Sequence, residues 1–177
     1  MAQGKKVALL YAPGMPKGGV ISKSSQFARI GVLADIHKRI RLPDGNTNYL
    51  CRGIRRFKVE RFVRVKDVPV AKISYPEDIY PAGKETGALA RNVMSLSQKV
   101  AEHQPNLGDD FNIAALNIDP AGNLADFAAA YLVNGIKDKQ EILVQLDVQK
   151  RLRLVSEGLT RELVSLELGD KIQKEIR

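Results

Sequence analysis

Two glycine-rich stretches are the parts of this sequence that could hold a phosphate group. The stretch GKET (83–86) contains the Gly-Lys pair of a phosphate-binding loop, but Glu85 stands where Ser or Thr must bind magnesium. In addition, Asp78 stands where the first glycine of such a loop is needed. The stretch GMPKGG (14–19) lacks the Gly-Lys-Ser/Thr ending. We therefore expect a turn leading into a helix at the first stretch, a flexible loop at the second, and no cofactor bound by this chain.

Groups suited to metal binding or nucleophilic catalysis are few and scattered. His37 and His103 fall in different halves of the chain, with no Cys or carboxylate at ligand spacing, so no metal site is predicted. No Ser lies in a nucleophile-elbow pattern or beside an evident base. Cys51 lies inside a strand pattern, which is typical of a small buried side chain rather than a nucleophile. We expect no catalytic residue and no enzymatic activity in this chain alone.

Basic side chains are concentrated in the first part of the chain. Residues 1–76 hold 16 Lys and Arg against 4 Asp and Glu, a net charge of +12, whereas residues 77–177 hold 12 against 16, a net charge of −4. The densest run is a predicted basic patch made of Arg52, Arg55, Arg56, Lys58, Arg61, Arg64 and Lys66. With Phe57 and Phe62 among them, these residues could follow a nucleic-acid backbone. The alternative is a solvated sheet face that discourages pairing at a sheet edge.

Length and composition are those of a water-soluble globular protein. The chain has 177 residues, of which 44% are hydrophobic and 27% charged, and this is enough for one ordinary domain or two small ones. The longest apolar run is seven residues, 127–133, far short of the ~20 needed to cross a bilayer. Neither a membrane partner nor a signal peptide is predicted. The single cysteine suits a reducing compartment, so we expect a cytoplasmic protein.

The first part of the chain shows the period of two that is typical of β-strands. Short strands are predicted at 5–11, 30–40, 47–51, 57–65 and 70–75, with a hairpin turn at the Pro-Asp-Gly-Asn of 43–46. In the fourth strand, Phe57, Val59, Val63 and Val65 share one parity. Consecutive antiparallel strands with tight turns favour a small barrel or a curled sheet.

Beyond the Pro-rich connector 76–83 the apolar period changes to 3.6, which is typical of helices. Amphipathic helices are predicted from Leu89 to near Pro105, from Asp119-Pro120 to about residue 134, and over about 137–146. Asp119 and Asp147 are predicted to cap helices. The last helix would run some 30 residues, or about 45 Å, so we expect its far end to project. The predicted domains are a basic β-rich module, 1–80, and a helical bundle, 84–177.

Several motifs in this order resemble the amino-terminal substrate-binding domain of the Lon ATP-dependent protease family. The segment 118–152, IDPAGNLADFAAAYLVNGIKDKQEILVQLDVQKRL, is similar to that family's D-P-x-x-L-A-D-x-x-A followed by K-Q-x-L-L-x-x-L-D-V-x-x-R-L. Upstream, 29–62 resembles the family's G-x-x-A-x-I, L-P-D-G and V-x-G-x-x-R elements. The ending ELGDKIQKEIR resembles the helical exit toward the family's ATPase module.

The resemblance implies an α+β fold: a small PUA-like antiparallel β barrel followed by a helical bundle with a long C-terminal helix. The family's domain usually opens with an extra apolar strand and a helix, whereas this chain starts at what would be the following strand. The barrel is therefore expected to be incomplete or completed by other means. The family's ATPase loop and Ser-Lys dyad have no counterpart in this sequence.

The resemblance also implies a function. We expect recognition of unfolded or damaged proteins for an ATP-driven serine protease ring, with self-association in the parent and with ATP and magnesium bound only by the parent's ATPase module. A nucleic-acid-binding module that uses the basic sheet is the alternative. The predicted substrate-binding residues are the large apolar side chains of the connector and two nearby ones: Met15, Phe62, Tyr75, Ile79 and Tyr80.

Overall fold

The computed structural model describes residues 5–14, 24–65, 69–104 and 107–176. The chain divides into two compact units, Met1–Pro76 and Glu77–Arg177. The first unit is an antiparallel sheet and the second is a set of five helices. The predicted α+β class is confirmed.

Over its described residues, the sheet unit contains four strands in the order β1-β2-β3-β4, all antiparallel. They are β1 (Lys6–Leu9), β2 (Ile30–Arg41), β3 (Thr47–Arg64) and β4 (Val70–Ser74), with a short 3₁₀ turn at Ser24–Gln26. The predicted hairpin joins β2 to β3, where the Asp44 carboxylate accepts a 2.9 Å hydrogen bond from the Asn46 backbone N–H and Gly45 has φ +85°. Since β1 and β4 lie at the two edges, the sheet does not close into a barrel over the described residues.

Two details of the strand prediction were wrong. The predicted strands 47–51 and 57–65 form one continuous strand, β3. Its pairing with β4 shifts register between Val59 and Arg61, which marks a β-bulge. One extra residue at a bulge reverses the alternation of side chains that follows it. Val63 is therefore 62% exposed instead of joining Phe57 and Val59 in the interior, and Phe62 takes the inward direction.

The helical unit contains α1 (Glu85–Glu102), α2 (Gly108–Leu116), α3 (Ala121–Leu132), α4 (Ile136–Val144) and α5 (Val148–Ile176). Helix α2 was not predicted, because its nine residues are too few to show a clear apolar stripe. The Asp119 cap was also wrong. Pro120 has ψ 175°, so the extended Pro120 occupies the cap position and no side chain caps α3. The Asp147 cap is confirmed, since its carboxylate accepts a 3.1 Å bond from the Lys150 N–H.

Helices α1, α3 and α5 run in the same direction. The pairs Thr86–Gln149, Asn92–Ser156 and His103–Asp170 align α1 with α5. Gly122 lies near Arg151, and Val133 packs on Gly158, which aligns α3 with α5 in the same sense. Since α2 and α4 connect the end of one of these helices to the start of the next, both run in the opposite direction.

The hydrophobic core of the helical unit lies between these parallel helices. Its fully buried side chains include Val93 and Val100 from α1, Leu132 from α3, and Leu152 and Leu159 from α5. A methyl group at Gly158 would lie 3.1 Å from Val133 Cγ2, so this glycine permits the close approach of α3.

Side chains of other helical-unit segments contact the long helix α5 as far along as Asp170. Its partners include Asp138 at Arg161, Asn134 at Glu162 and His103 at Asp170. Residues 167–175 are all exposed, so the end of the helix has no apolar cover. None of the helices over the described residues is long and apolar enough to span a membrane.

We expect the Leu152→Ala substitution to lower the free energy of unfolding by about 2–5 kcal/mol, because it leaves a cavity at a fully buried position of α5. The Leu168→Ala substitution removes the same atoms at a position that is 57% exposed and should cost less than about 0.5 kcal/mol. Urea unfolding followed by ellipticity at 222 nm measures both. Equal losses would contradict the assignment of the core.

Candidate functional site

The connector between the two units is tied to the helical unit by its backbone. The Ile79 N–H donates to the Leu146 carbonyl, and the Val148 N–H donates to the Ile79 carbonyl, each at 2.9 Å. These bonds form a parallel bridge between Ile79 and Asp147, directly before α5. The connector is therefore fixed at this point, while its side chains remain accessible: Ile79 is 57% and Tyr80 45% exposed.

A buried guanidinium fixes the residue next to Ile79. Arg151 of α5 is 0% exposed and donates two hydrogen bonds to the Asp78 carboxylate, at 2.9 and 2.5 Å. Its Nε donates to the Gln145 carbonyl at 2.8 Å, and Asp126 of α3 lies 3.5 Å from Nη1. A two-pronged charge-assisted pair of this kind is among the stronger polar interactions in proteins. It holds the connector against the start of α5.

The start of α3 is shaped around the same group. A side chain at Gly122 would collide with Asp78 and would lie 3.2 Å from Arg151 Nη1 and 3.0 Å from the Tyr80 hydroxyl. The absence of a Cβ at this position is therefore required for the close approach. The Tyr80 hydroxyl lies beside the first turn of α3, although the residue is 45% exposed.

The two predicted apolar residues of the sheet unit have aromatic or basic partners. Tyr75 is 44% exposed, and the Arg55 guanidinium lies 4.2 Å from its ring centroid. Phe62 is half-buried and stacks on Phe27 with a centroid distance of 5.2 Å. The predicted alternation left Phe62 outside the apolar parity of its strand, and the bulge in β3 explains why it turns inward instead. Met15 lies outside the described residues.

The strand register assigns Phe62 and Val59 to one face of the sheet. Val59 pairs with Ile73, and Phe62 pairs with Ala71. Paired residues lie on the same face, and so do residues two apart on a regular strand. We call this the apolar face: Phe57, Val59, Phe62, Ala71 and Ile73. Arg52 and Arg55 fall on the same face, toward the hairpin end, because a register shift between Leu33 and Ala34 separates the pairs Leu33↔Arg55 and Asp35↔Arg52.

The remaining described members of the predicted basic patch lie on the opposite face. Lys72 pairs with Arg61, Ser74 with Lys58, and Val70 with Arg64. We call this the basic face: Arg56, Lys58, Arg61, Arg64 and Lys72. The predicted patch is therefore divided between two faces of the sheet, and Lys66 lies outside the described residues.

One carboxylate lies within the basic face. The Ser74 hydroxyl donates a 2.6 Å hydrogen bond to Glu60, and Lys58 Nζ lies 3.8 Å away. The hydrogen bond from Ser74, followed by the charge of Lys58 and then of Lys72, lowers the pKa of Glu60 below its ordinary value. Glu60 is therefore ionised at neutral pH and removes one unit of charge from this surface.

The other residues considered for chemistry are far from one another in the fold. Gly83, with φ +115°, and Lys84 form the turn that begins α1. His37 lies exposed on β2, whereas His103 at the end of α1 contacts Asp170 at 2.9 Å. Within the described ranges, no three His, Cys, Asp or Glu side chains come close enough to hold a metal ion.

The comparison with protein families decides the identity of this fold. The model of the ATP-dependent protease La (LON) substrate-binding domain matches residues 1–161, which is most of the chain. The chain belongs to this family. The resemblance seen in the sequence motifs is confirmed.

Individual relatives agree with the family assignment. The Lon proteases of Koribacter versatilis and Dictyoglomus thermophilum are each 36% identical to this chain, over 155 and 149 residues that cover 86% and 84% of it. The chain spans 19% of the length of each of these proteins. The solved N-terminal domain of a Mycobacterium avium complex Lon protease has a TM-score of 0.64 at 19% identity, with 89% of this chain and 90% of that chain covered. This last likeness shows a shared fold.

The sequence analysis missed Arg151 as the centre of the connector site in this Lon substrate-binding domain. The available signal was its position on α5, since residue 151 lies three after Val148 and four before Val155, both fully buried. An arginine on the buried face of a helix needs a carboxylate partner. The sequence alone left several candidate carboxylates, because Asp78 is 73 residues away in the chain.

We expect the Arg151→Ala substitution to lower the free energy of unfolding of the helical unit by about 3–5 kcal/mol, because it leaves Asp78 without its charged partner. The matched control is Arg153→Ala, two residues further along α5, which removes an exposed ion pair with Glu85. That control should cost less than about 1 kcal/mol. Urea unfolding of the two variants compares them, and a similar small loss for both would disprove the role of the buried pair.

Proposed function

We propose that this chain recognises unfolded or damaged proteins and positions them for an ATP-driven Lon-type protease. The match to a Lon substrate-binding domain over residues 1–161 is the observation that carries this proposal. The same proposal assigns ATP and magnesium to an ATPase module of a parent protein in the cytoplasm. This chain would then supply binding without a catalytic step.

The distribution of apolar side chains supports the proposal. Among the described residues of the sheet unit, only Gly31, Ala34, Phe57 and Val59 are buried. Large apolar side chains remain exposed on all four strands and just after the last: Leu9, Ile40, Tyr49, Leu50, Ile54, Val63, Val70 and Tyr75. Exposed apolar clusters commonly mark interaction surfaces. A surface of this kind would contact the apolar segments that a folded protein hides and an unfolded protein presents.

Individual contacts with such segments would be weak. Self-association into a ring would place several copies of this surface around one substrate chain, so that avidity raises the overall affinity without tight single contacts. Weak single contacts suit a domain that must accept many different unfolded proteins.

We expect the Tyr75→Ser, Ile79→Ser double variant to bind an unfolded protein at least threefold more weakly than the unchanged chain. The reason is the loss of two exposed apolar side chains, one directly before the connector and one within it. The measurement is fluorescence anisotropy with labelled, reduced and carboxymethylated lactalbumin. The control is Leu168→Ser, an exposed apolar residue of α5 outside this surface, which should bind as the unchanged chain does. Circular dichroism must show an unchanged fold, and undiminished binding by the double variant would refute this location.

The alternative function, binding of nucleic acid, has one observation in its favour. The register places Arg56, Lys58, Arg61, Arg64 and Lys72 on one face, which is the arrangement that could follow a row of phosphates. This function predicts affinity for single-stranded DNA that falls steeply as salt rises from about 50 to 200 mM. Binding of the unfolded protein should change far less over that range if apolar contact dominates.

We expect no ATP hydrolysis and no peptide cleavage by the isolated chain. The Gly83-Lys84 turn is followed by Glu85, whose negative charge would repel a phosphate. Glu85 also occupies the position where a phosphate-binding loop needs a Ser or Thr hydroxyl to bind magnesium. A coupled ATPase assay and a fluorogenic casein assay test this expectation. ATP turnover that co-purifies with the chain and disappears in Lys84→Met would contradict it.

A further inference from the structure

Strand β4 has one paired edge and one unpaired edge. It forms its ladder with β3, and over the described residues no strand lies on its other side. The register shifts of this pair occur where residues of β3 are skipped, so the five residues Val70–Ser74 form a regular strand about 17 Å long. An edge of this kind presents backbone N–H and C=O groups that can pair with another extended chain.

The side chains beside this edge differ between the two faces of the sheet. On the apolar face, Ala71 and Ile73 are half-buried beside Phe62 and Val59. On the basic face, Lys72 is exposed and pairs with Arg61, with Lys58 and Arg64 on either side. A strand added to β4 would place its alternate side chains beside these two rows.

The charge of the basic face selects the sequence of the added strand. An exposed Lys on an edge strand normally opposes pairing, because a neutral or basic neighbour gains nothing from it. Carboxylates at alternate positions of the neighbour would lie beside Lys72 and its basic neighbours, where opposite charges attract. Apolar side chains at the other positions would extend the apolar face.

We propose that the free edge of β4 binds an extended substrate segment in which apolar and acidic residues alternate, adding a fifth antiparallel or parallel strand to the sheet. This inference rests on the proposed function, since it names the segment of an unfolded protein that the domain grips. Main-chain hydrogen bonds supply affinity that every polypeptide can offer, and the two faces add a preference on top of it. Folded proteins are excluded because they have few free extended segments.

The edge of β1 is a weaker candidate for the same mode of binding. β1 has four residues, Lys6–Leu9, against five in β4, and in the described part of the chain it pairs with β2 alone. Its charged side chain, Lys6, pairs with Asp35, so that the local charge is balanced and offers no preference for acidic neighbours.

The test uses fluorescein-labelled nine-residue peptides and anisotropy with the full 177-residue chain. The first peptide alternates Val and Glu. The comparison peptides have the same composition in two blocks, or Lys in place of Glu. We expect the alternating acidic peptide to bind at least tenfold more tightly than either comparison peptide.

Backbone methylation separates strand addition from simple charge attraction. In an added strand, the N–H groups of one residue parity face β4 and those of the other parity face solvent. N-methylation of every Val or of every Glu should therefore have unequal effects, with at least a tenfold loss in one peptide and less than a twofold loss in the other. Equal losses for the two methylated peptides would overturn the proposal, because binding through side chains alone does not depend on which backbone N–H groups are methylated.

A charge exchange on the protein locates the site. Lys72→Glu should weaken binding of the Glu peptide and strengthen binding of the Lys peptide, whereas Glu60→Gln should strengthen binding of the Glu peptide. Hydrogen exchange at residues 70–74 should slow when the Glu peptide is bound. Absence of that protection would overturn the proposal, and if the chain still bound carboxymethylated lactalbumin, the proposed function would stand without it.

Discussion

Burying a guanidinium costs several kcal/mol unless its donors are paired, and Arg151 has no exposed surface. Its partners come from three separate segments: Asp78 in the connector, Gly122 and Asp126 on α3, and the Gln145 carbonyl at the end of α4. All three segments must converge on the first turn of α5 for the charge to be satisfied. This requirement fixes where α3 begins, where α4 ends and how the connector meets the bundle. The hydrophobic core then fills the space between helices whose starting points are already set.

The two units divide stability and surface between them. The helical unit buries a continuous apolar core to which all five of its described helices contribute. The sheet unit buries few side chains among its described residues and is held mainly by the ladders between its four strands. A sheet of this kind keeps apolar side chains, basic side chains and a free edge accessible at the same time. These are the properties that a binding module of the Lon family would use, while the helical unit provides a firm base for the connector.

The sequence predicted the parts of the fold that depend on local pattern. The period of two in β2, the Asp44-Gly45 turn and the long stripe of α5 all follow from neighbours in the chain, and each is present. Long-range effects were not predictable. The bulge at Glu60 depends on pairing with β4 and exchanges the directions of Phe62 and Val63. The partner of Arg151 lies 73 residues away, and one sequence cannot choose Asp78 over other carboxylates. The binding site predicted on the connector stays a prediction, and the charge pair that fixes the connector was missed.

The alternating directions of the helices have an electrostatic consequence of their own. Each helix carries a partial positive charge of about half a unit at its start and a similar negative charge at its end. The starts of α1, α3 and α5 lie together near Arg151, and the carbonyl at the end of α4 points into the same region. Asp78, Glu85 and Asp147 are at this end of the bundle and face the positive dipole ends as well as Arg151. The acidic side chains at this end of the bundle are thus partly balanced by the backbone itself, a contribution that a count of charged side chains leaves out.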